Sequence, residues 1–182
     1  MTVVLAISGS LRQGSANGAI VEAARVCAPT DVQVHVFDGL GALPPFNPDL
    51  DVEPFPPSVV AWRDALRTAS MVLISSPEYA HGVPGMLKNA LDWVVGSGEF
   101  MEKRVALVNA SAVSSFVTEQ LRETLTVMMG HVVVAASLPL QGRPSSAADV
   151  LAQADAAATL RVALITLTST DAVTPERITG VQ

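Results

Sequence analysis

The chain has 182 residues, of which 49% are hydrophobic and 15% are charged, and its formal net charge is −6. The excess of 17 Asp and Glu over 11 Lys and Arg disfavours a nucleic-acid-binding protein, which needs a basic surface against the phosphates. The single cysteine, Cys27, excludes an internal disulfide and a cysteine-rich zinc site. We expect it to be a buried thiol in a reducing compartment.

The high apolar content does not come from a membrane span. The longest stretch without Asp, Glu, Lys or Arg, residues 124–142, is interrupted by Gly130, His131 and Pro139 and is too broken for a transmembrane helix. The N-terminus lacks the basic region of a signal peptide. We therefore expect a soluble, cytoplasmic protein that binds neither membranes nor nucleic acid.

Five short apolar runs, rich in β-branched residues, each precede a segment with helical spacing. The runs are Val3–Ile7, Val32–Phe37, Met71–Ile74, Val105–Val108 and Val132–Ala136. The apolar positions that follow form the stripes Ala16/Ile20/Ala23/Cys27, Val59/Trp62/Leu66/Ala69, Leu87/Leu91/Val94, Leu121/Leu125/Met128 and Leu151/Ala154/Ala158/Val162/Ile165. This alternation predicts an α/β fold in which helices cover both faces of a parallel sheet.

Several segments carry expectations of their own. The alternating pattern of Val32–Phe37 indicates a strand near a sheet edge. Trp62 and Trp93 fall at helical spacing, which favours core or interface positions over cofactor stacking. The Pro-rich connection Leu43–Pro57 is long enough to be functional. The tail after Ser169 has little pattern and is expected to be mobile or used in association. The whole chain, 1–182, is expected to be one domain.

Ligands of such sheets bind at the carboxyl ends of the strands, where three loops follow the central strands: Ser8–Asn17, Ser75–Gly85 and Asn109–Phe116. The first loop combines hydroxyls, glycines and Arg12 ahead of a helix, which favours a phosphate cradle. A plainer interpretation, in which Ser15 or Asn17 only caps the helix, stays open. The chain has neither a P-loop Gly-Lys-Ser/Thr nor a Gly-x-Gly-x-x-Gly motif here, so a single terminal phosphate fits best.

The second loop contains two prolines, two glycines and Tyr79, the only tyrosine of the chain. A rigid loop with exposed N–H groups suits a flat heteroaromatic ring. His81 is a candidate proton donor to an acceptor such as a quinone, with a surface loop histidine as the alternative. Glu78 has the alternative interpretation of a solvated loop charge whose backbone does the binding. No cluster of residues supports a metal site.

The first loop resembles the Gly-Ser-Leu-Arg-x-x-Ser-x-Asn phosphate loop of the NADPH-dependent FMN reductase family, flavodoxin-like proteins that include quinone, azo-dye and chromate reductases. Pro77-Glu78-Tyr79 followed by 82–93, Gly-Val-Pro-Gly-Met-Leu-Lys-Asn-Ala-Leu-Asp-Trp, resembles the family's second signature. Leu43-Pro44 with 46–49, Phe-Asn-Pro-Asp, resembles its connection after the second strand. The likeness covers residues 3–140.

This resemblance implies a doubly wound, five-stranded parallel sheet of order 2-1-3-4-5 that binds FMN. The residues that it implies for the cofactor are Ser8, Ser10, Arg12, Ser15, Ala16 and Asn17 around the phosphate, Pro77, Glu78, Tyr79, Ala80 and Gly82 beside the isoalloxazine, and Ser111 in the third loop. Two positions depart from the family pattern. Ala80 replaces the usual Asn, and the third loop contains no glycine.

The resemblance further implies an enzyme that takes hydride from NADPH or NADH and reduces flavin, a quinone or another small acceptor, because the cofactor carries the chemistry. It also implies a homodimer or homotetramer. The alternative is a flavodoxin-like electron carrier that does not oxidise NAD(P)H itself. The aromatic content of 4% favours the enzyme, because carriers bury the flavin between aromatic residues. A scaffold that has lost its flavin is a third interpretation.

Overall fold

A computed structural model describes residues 1–110 and 116–169 of the chain. Strands and helices alternate along them. The elements are β1 Thr2–Ser8, α1 Ala16–Cys27, β2 Val32–Phe37, α2 Pro57–Thr68, β3 Met71–Ser75, α3 Gly85–Asp92, β4 Arg104–Asn109, α4 Phe116–Val127, β5 His131–Ser137, α5 Ala147–Leu151 and α6 Ala154–Thr168. No helix in this part of the chain has the length and apolarity that crossing a membrane requires.

The five strands form one parallel sheet in the order β2-β1-β3-β4-β5, which confirms the predicted fold class and strand order. β2 lies at one edge, as its alternating pattern predicts. The central strands β1, β3 and β4 are buried on both faces along most of their length. β5 forms the other edge, and its residues are only half-buried or exposed because no strand covers its outer side.

The sheet separates two apolar cores. On one face, α2, α3 and α4 pack with Trp62, Trp93 and Phe100, all three completely buried. On the other face, α1, α5 and α6 pack with residues such as Ile20 and Leu160. The predicted stripes of α2, α3 and α4 all lie in the first core, and both tryptophans are core residues as expected. Because helices cover both faces of the sheet, its central strands are apolar on both sides, and this accounts for the high hydrophobic content of the chain.

The C-terminal helical segment differs from its prediction. It forms two helices rather than one, and the predicted stripe faces outward: Val162 is 62% and Ile165 is 57% exposed, whereas Leu160 and Leu164 are buried. The segment is rich in alanine and nearly uniform in hydropathy, so that periodicity alone could not identify the buried face. The break lies at Ala152 and Gln153, between the end of α5 and the start of α6.

Cys27, the last residue of α1, is half-buried rather than buried as expected. Burial raises the pKa of its thiol, and the nearby Arg161 guanidinium partly opposes that shift. The helix ends at this residue and the chain turns to β2, so the thiol lies at the rim of the core instead of inside it.

Side chains from α2 and α3 hold the long connection between β2 and α2. Asn89 accepts from the backbone N–H of Phe46 at 2.7 Å and donates to the carbonyl of Pro44 at 2.9 Å, while the Trp93 indole donates to the same carbonyl at 2.8 Å. Arg63, only 4% exposed, donates to Asp51 at 2.7 Å and to the carbonyl of Trp93 at 2.8 Å. The connection is therefore fixed along the same edge of the sheet as the predicted site.

Candidate active site

The first and second loops are joined where β1 and β3 end. Ser8 and Ser75 are register partners in the parallel ladder, and the N–H of Gly9 donates to the carbonyl of Ser75 at 2.8 Å. A Cβ at Gly9 would lie 2.8 Å from Oγ and 3.3 Å from Cα of Ser76, so only glycine allows this close approach. The Ser75 hydroxyl donates to Oδ1 of Asn17 at 2.9 Å, which links the start of α1 to the second loop.

The start of α1 presents backbone donors. Ser15 is the N-cap, and its hydroxyl oxygen accepts from the N–H of Gly18 at 3.0 Å. Within the described part of the chain, the N–H groups of Ala16 and Asn17 have no acceptor, and neither has the side-chain amide nitrogen of Asn17. Unpaired N–H groups in the first turn of a helix carry partial positive charge and favour an anion. The cap interpretation is confirmed for Ser15, and the phosphate cradle stays a prediction that these free donors favour.

The rest of the first loop is shaped by its own hydroxyls. Ser8 Oγ accepts from the N–H of Ser10 at 3.2 Å, and Ser10 Oγ accepts from the N–H of Arg12 at 3.3 Å. Gly14 has φ +63°, a left-handed conformation that favours glycine. Arg12 is exposed and makes no ion pair with any described residue, so its guanidinium is available for an anion.

Ser8, Ser10, Arg12 and Ser15 line a cavity of about 530 Å³. Sequence reasoning missed further lining residues, among them Asp38 after β2, and Ser145 and Ser146 ahead of α5. The Cβ of Ser145 lies 3.6 Å from the position of a Cβ on Gly14, so this segment borders the first loop. No sequence pattern around residues 145–146 could have revealed this position, because Gly14 and Ser145 are more than a hundred residues apart in the chain.

The wall formed by Ser145 and Ser146 is ordered by Asp149. Its carboxylate accepts from the N–H groups of Ser145 at 2.9 Å and Ser146 at 3.0 Å, while the Ser146 hydroxyl oxygen accepts from the N–H of Asp149 at 3.2 Å. This capping box begins α5. The N–H of Ser145, and after it the Ser146 hydroxyl, hold the pKa of Asp149 below its ordinary value, because they stabilise the carboxylate.

The second loop forms a tight turn between Tyr79 and Gly82. The N–H of Tyr79 donates to the carbonyl of Gly82 at 3.1 Å, and the N–H of Gly82 donates back at 2.9 Å. The two central residues, Ala80 and His81, have φ +49° and +60°. Asn, which the family resemblance leads one to expect at position 80, tolerates the left-handed region better than alanine does. Pro77 is half-buried beside this turn.

Glu78 is not a solvated loop charge, so that alternative is wrong. Its side chain is 15% exposed, and Oε2 accepts from the backbone N–H of Val117, in the first turn of α4, at 3.2 Å. A carboxylate at a helix N-terminus is stabilised by the unpaired N–H groups there. His81 is 72% exposed, with Nδ1 3.6 Å from Oε1 of Glu78. The structure thus brings Pro77, Glu78, Tyr79, Ala80 and Gly82 together in one turn, whereas Ser111 lies outside the described residues.

An all-parallel sheet of order 2-1-3-4-5, with a cavity lined by the first loop at its carboxyl edge, defines a flavodoxin-like protein. The sequence model of the NADPH-dependent FMN reductase family matches residues 2–144. An NAD(P)H-dependent FMN reductase of Pseudomonas aeruginosa is 37% identical over 134 residues, which cover 70% of this chain and 71% of that relative. The chain therefore belongs to the NADPH-dependent FMN reductase family, and is an oxidoreductase with FMN as its cofactor and NAD(P)H as its reductant.

Two other comparisons are consistent with this family. A quinone reductase of Escherichia coli strain K12 is 38% identical over 92 residues, which cover 50% of this chain and 49% of that relative. The chain thus matches about half the length of that protein. The structure of a flavoenzyme NAD(P)H:(acceptor) oxidoreductase from Paracoccus denitrificans shares the fold, with a TM-score of 0.70 and 24% identity over 92% of this chain and 97% of that one.

Proposed function

We propose that the first loop binds the FMN phosphate through Ser10, Arg12, Ser15 and Asn17, with the backbone N–H of Ala16, while Ser8 keeps the loop in shape. The observation that carries this assignment is the set of N–H groups at the start of α1 that find no acceptor among residues 1–110 and 116–169, beside the Arg12 guanidinium, which forms no ion pair with those residues. This donor set suits a doubly charged phosphate monoester, because one loop combines neutral backbone and hydroxyl donors with the charged guanidinium of Arg12.

We propose that the isoalloxazine edge lies against Pro77, Glu78, Tyr79, Ala80 and Gly82, with Ser111 as a further contact. When bound, FMN supplies the hydride and electron transfer, so the chain needs neither a nucleophile nor a metal. Tyr79 is mostly exposed, so its ring is not part of the apolar core. Glu78 is already bonded to α4, which leaves the exposed imidazole of His81 as the candidate to deliver a proton to the acceptor.

The second substrate is proposed to be free flavin, a quinone or another small electron acceptor. Relatives named as FMN reductase and as quinone reductase support this choice. The same names do not favour the alternative of an electron carrier without NAD(P)H oxidation. We further propose that the chain acts in the cytoplasm as one domain that assembles into a homodimer or homotetramer, with exposed apolar side chains available for contact between subunits.

One purification tests the cofactor and the reaction. We expect yellow protein, or colourless protein that becomes yellow with FMN, and anaerobic NADPH or NADH should bleach the flavin band before a quinone restores it. Protein that never takes up FMN would refute the cofactor site. Protein that binds FMN but is not bleached by either nicotinamide nucleotide would instead support the electron-carrier alternative.

A substitution tests the phosphate cradle. Arg12→Ala should weaken FMN binding by about 1.5–3 kcal/mol, roughly ten- to a hundredfold in Kd, because a charged hydrogen bond to the phosphate is lost. Fluorescence quenching of free FMN measures this constant. Arg161→Ala, an exposed arginine near the other end of α1, is the matched control and should leave Kd unchanged. Equal affinities of Arg12→Ala and wild type would place the phosphate elsewhere.

A further inference from the structure

The turn at Tyr79–Gly82 has a backbone conformation that its own residues disfavour. Ala80 and His81 both adopt positive φ, where a Cβ crowds the neighbouring carbonyl oxygen. Asn and Gly, which favour such turns, are absent from these two positions. Two hydrogen bonds between Tyr79 and Gly82 close the turn. Contacts from outside the turn are therefore needed to hold it in this form.

The side chain of Gln120, in the second turn of α4, supplies such contacts. Its Nε2 donates to the carbonyl of His81 at 2.9 Å, and its Oε1 accepts from the backbone N–H of Val83 at 3.2 Å. His81 and Val83 flank Gly82 in the chain. One carboxamide thus provides the donor and the acceptor that a peptide group of a neighbouring strand would provide.

Other groups at the same end of α4 hold the same turn. The carboxylate of Glu78 accepts from the N–H of Val117 at 3.2 Å. The ring of His81 meets the ring of Phe116 edge to face, with centroids 4.3 Å apart. Gln120 lies one helical turn after Phe116, and its side chain hydrogen-bonds to the backbone on the far side of the turn. The turn and the start of α4 consequently form one packed unit.

We infer that Gln120 is a positioning residue for the flavin site. It fixes the turn that borders the isoalloxazine under the proposed function, on which this inference rests. Gln120 itself acts through His81 and Val83 and not on the cofactor. Loss of its carboxamide should free the turn to leave its left-handed conformation while the proposed phosphate cradle of the first loop stays intact, because the hydrogen bonds of that loop among the described residues run within it or to Ser75 and not to residues 79–83.

The test compares Gln120→Leu with Glu119→Gln, a matched control at the adjacent exposed position of the same helix. In the apo protein, amide hydrogen exchange of the segment 79–83 should be at least about tenfold faster in Gln120→Leu, because the N–H of Val83 loses its acceptor. In the FMN-loaded protein, Kd should rise about three- to tenfold and the midpoint potential of bound FMN should shift. Glu119→Gln should match wild type in all three measurements.

A second variant separates positioning from a general loss of stability. In the double variant Gln120→Leu/Ala80→Gly, glycine adopts the left-handed conformation without the Cβ clash, so part of the lost affinity should return. Gln120→Glu, which keeps the acceptor for Val83 and loses the donor to His81, should give an intermediate exchange rate and remains useful if the leucine variant does not fold.

Unchanged exchange in both single variants at position 120 would overturn the inference. Faster exchange with a wild-type Kd and a wild-type potential would also overturn it, since Gln120 would then only stabilise a surface turn. The exchange measurement needs no cofactor, so it is independent of the proposed function. A wild-type protein that takes up no FMN would refute the proposed function itself, and the inference with it.

Discussion

At position 80 an alanine side chain is attached to a backbone with φ +49°. The Cβ of an L-residue in this region approaches the following carbonyl oxygen, at a cost of about 1–2 kcal/mol. Position 158 provides the contrast: it is also an exposed alanine, but it lies inside α6, where alanine is the best helix former. The same substitution at the two positions should therefore act in opposite directions.

Ala80→Gly should stabilise the apo protein by about 0.5–1 kcal/mol, which is the relief of backbone strain less the entropy that glycine adds to the unfolded chain. Ala158→Gly should destabilise it by about 1 kcal/mol. Urea unfolding followed by circular dichroism measures both values. A loss of stability in both variants would contradict the left-handed conformation at Ala80.

Helices α2 to α4 could be predicted from sequence because charged residues separate their apolar stripes and so mark the buried face. In α6 the alanines leave both faces apolar, so the stripe through Val162 and Ile165 does not mark the buried side and is exposed. The residues of the candidate site divide in the same way, into those that a local sequence pattern marks and those that it does not. Loop residues such as Ser15 and Arg12 carry local signals, whereas Gln120 and Ser145 contribute through contacts across long stretches of chain, which no pattern in their own neighbourhood records.

The short helix α5 begins at a capping box, and this element makes stability depend on pH. The pKa of Asp149 is lower in the folded chain, chiefly because the N–H of Ser145 bonds its carboxylate. A carboxyl with a depressed pKa contributes stability that is fully present above its unfolded pKa and is lost as pH falls through its folded pKa. The cap should therefore stabilise the protein at neutral pH and fail in acid.

Asp149→Asn should lower the Tm of the apo protein near neutral pH, and its difference from wild type should shrink on going from about pH 7 to pH 3. Thermal unfolding at a series of pH values measures the two curves. Asp155→Asn is the matched control, because the Asp155 side chain accepts no hydrogen bond from the described residues. A Tm difference for Asp149→Asn that is the same at every pH would show that the carboxylate charge is not what the cap uses.

At the scale of the whole molecule, the sheet and its two cores are connected to the site through the loops at one edge. Asn17 belongs to α1 yet accepts from Ser75 at the end of β3, and Gly9 packs against Ser76. The residues proposed to hold the FMN phosphate are thus tied to the central strands rather than to a separate flap. A ligand that binds there should stabilise the folded chain as a whole, because the unfolded chain has no such cradle.

FMN at about 100 times its Kd should stabilise the protein by about 2.7 kcal/mol, which corresponds to a rise in Tm of about 5–11 °C for a domain of this size. Arg12→Ala should have the apo Tm of wild type, because Arg12 is exposed and forms no ion pair with a described residue, but at the same FMN concentration its Tm should rise by about half as much or less. Riboflavin, which lacks the phosphate, should stabilise wild type and Arg12→Ala equally and weakly. A large rise with riboflavin in wild type would mean that ring contacts, and not the cradle at the start of α1, supply most of the binding energy.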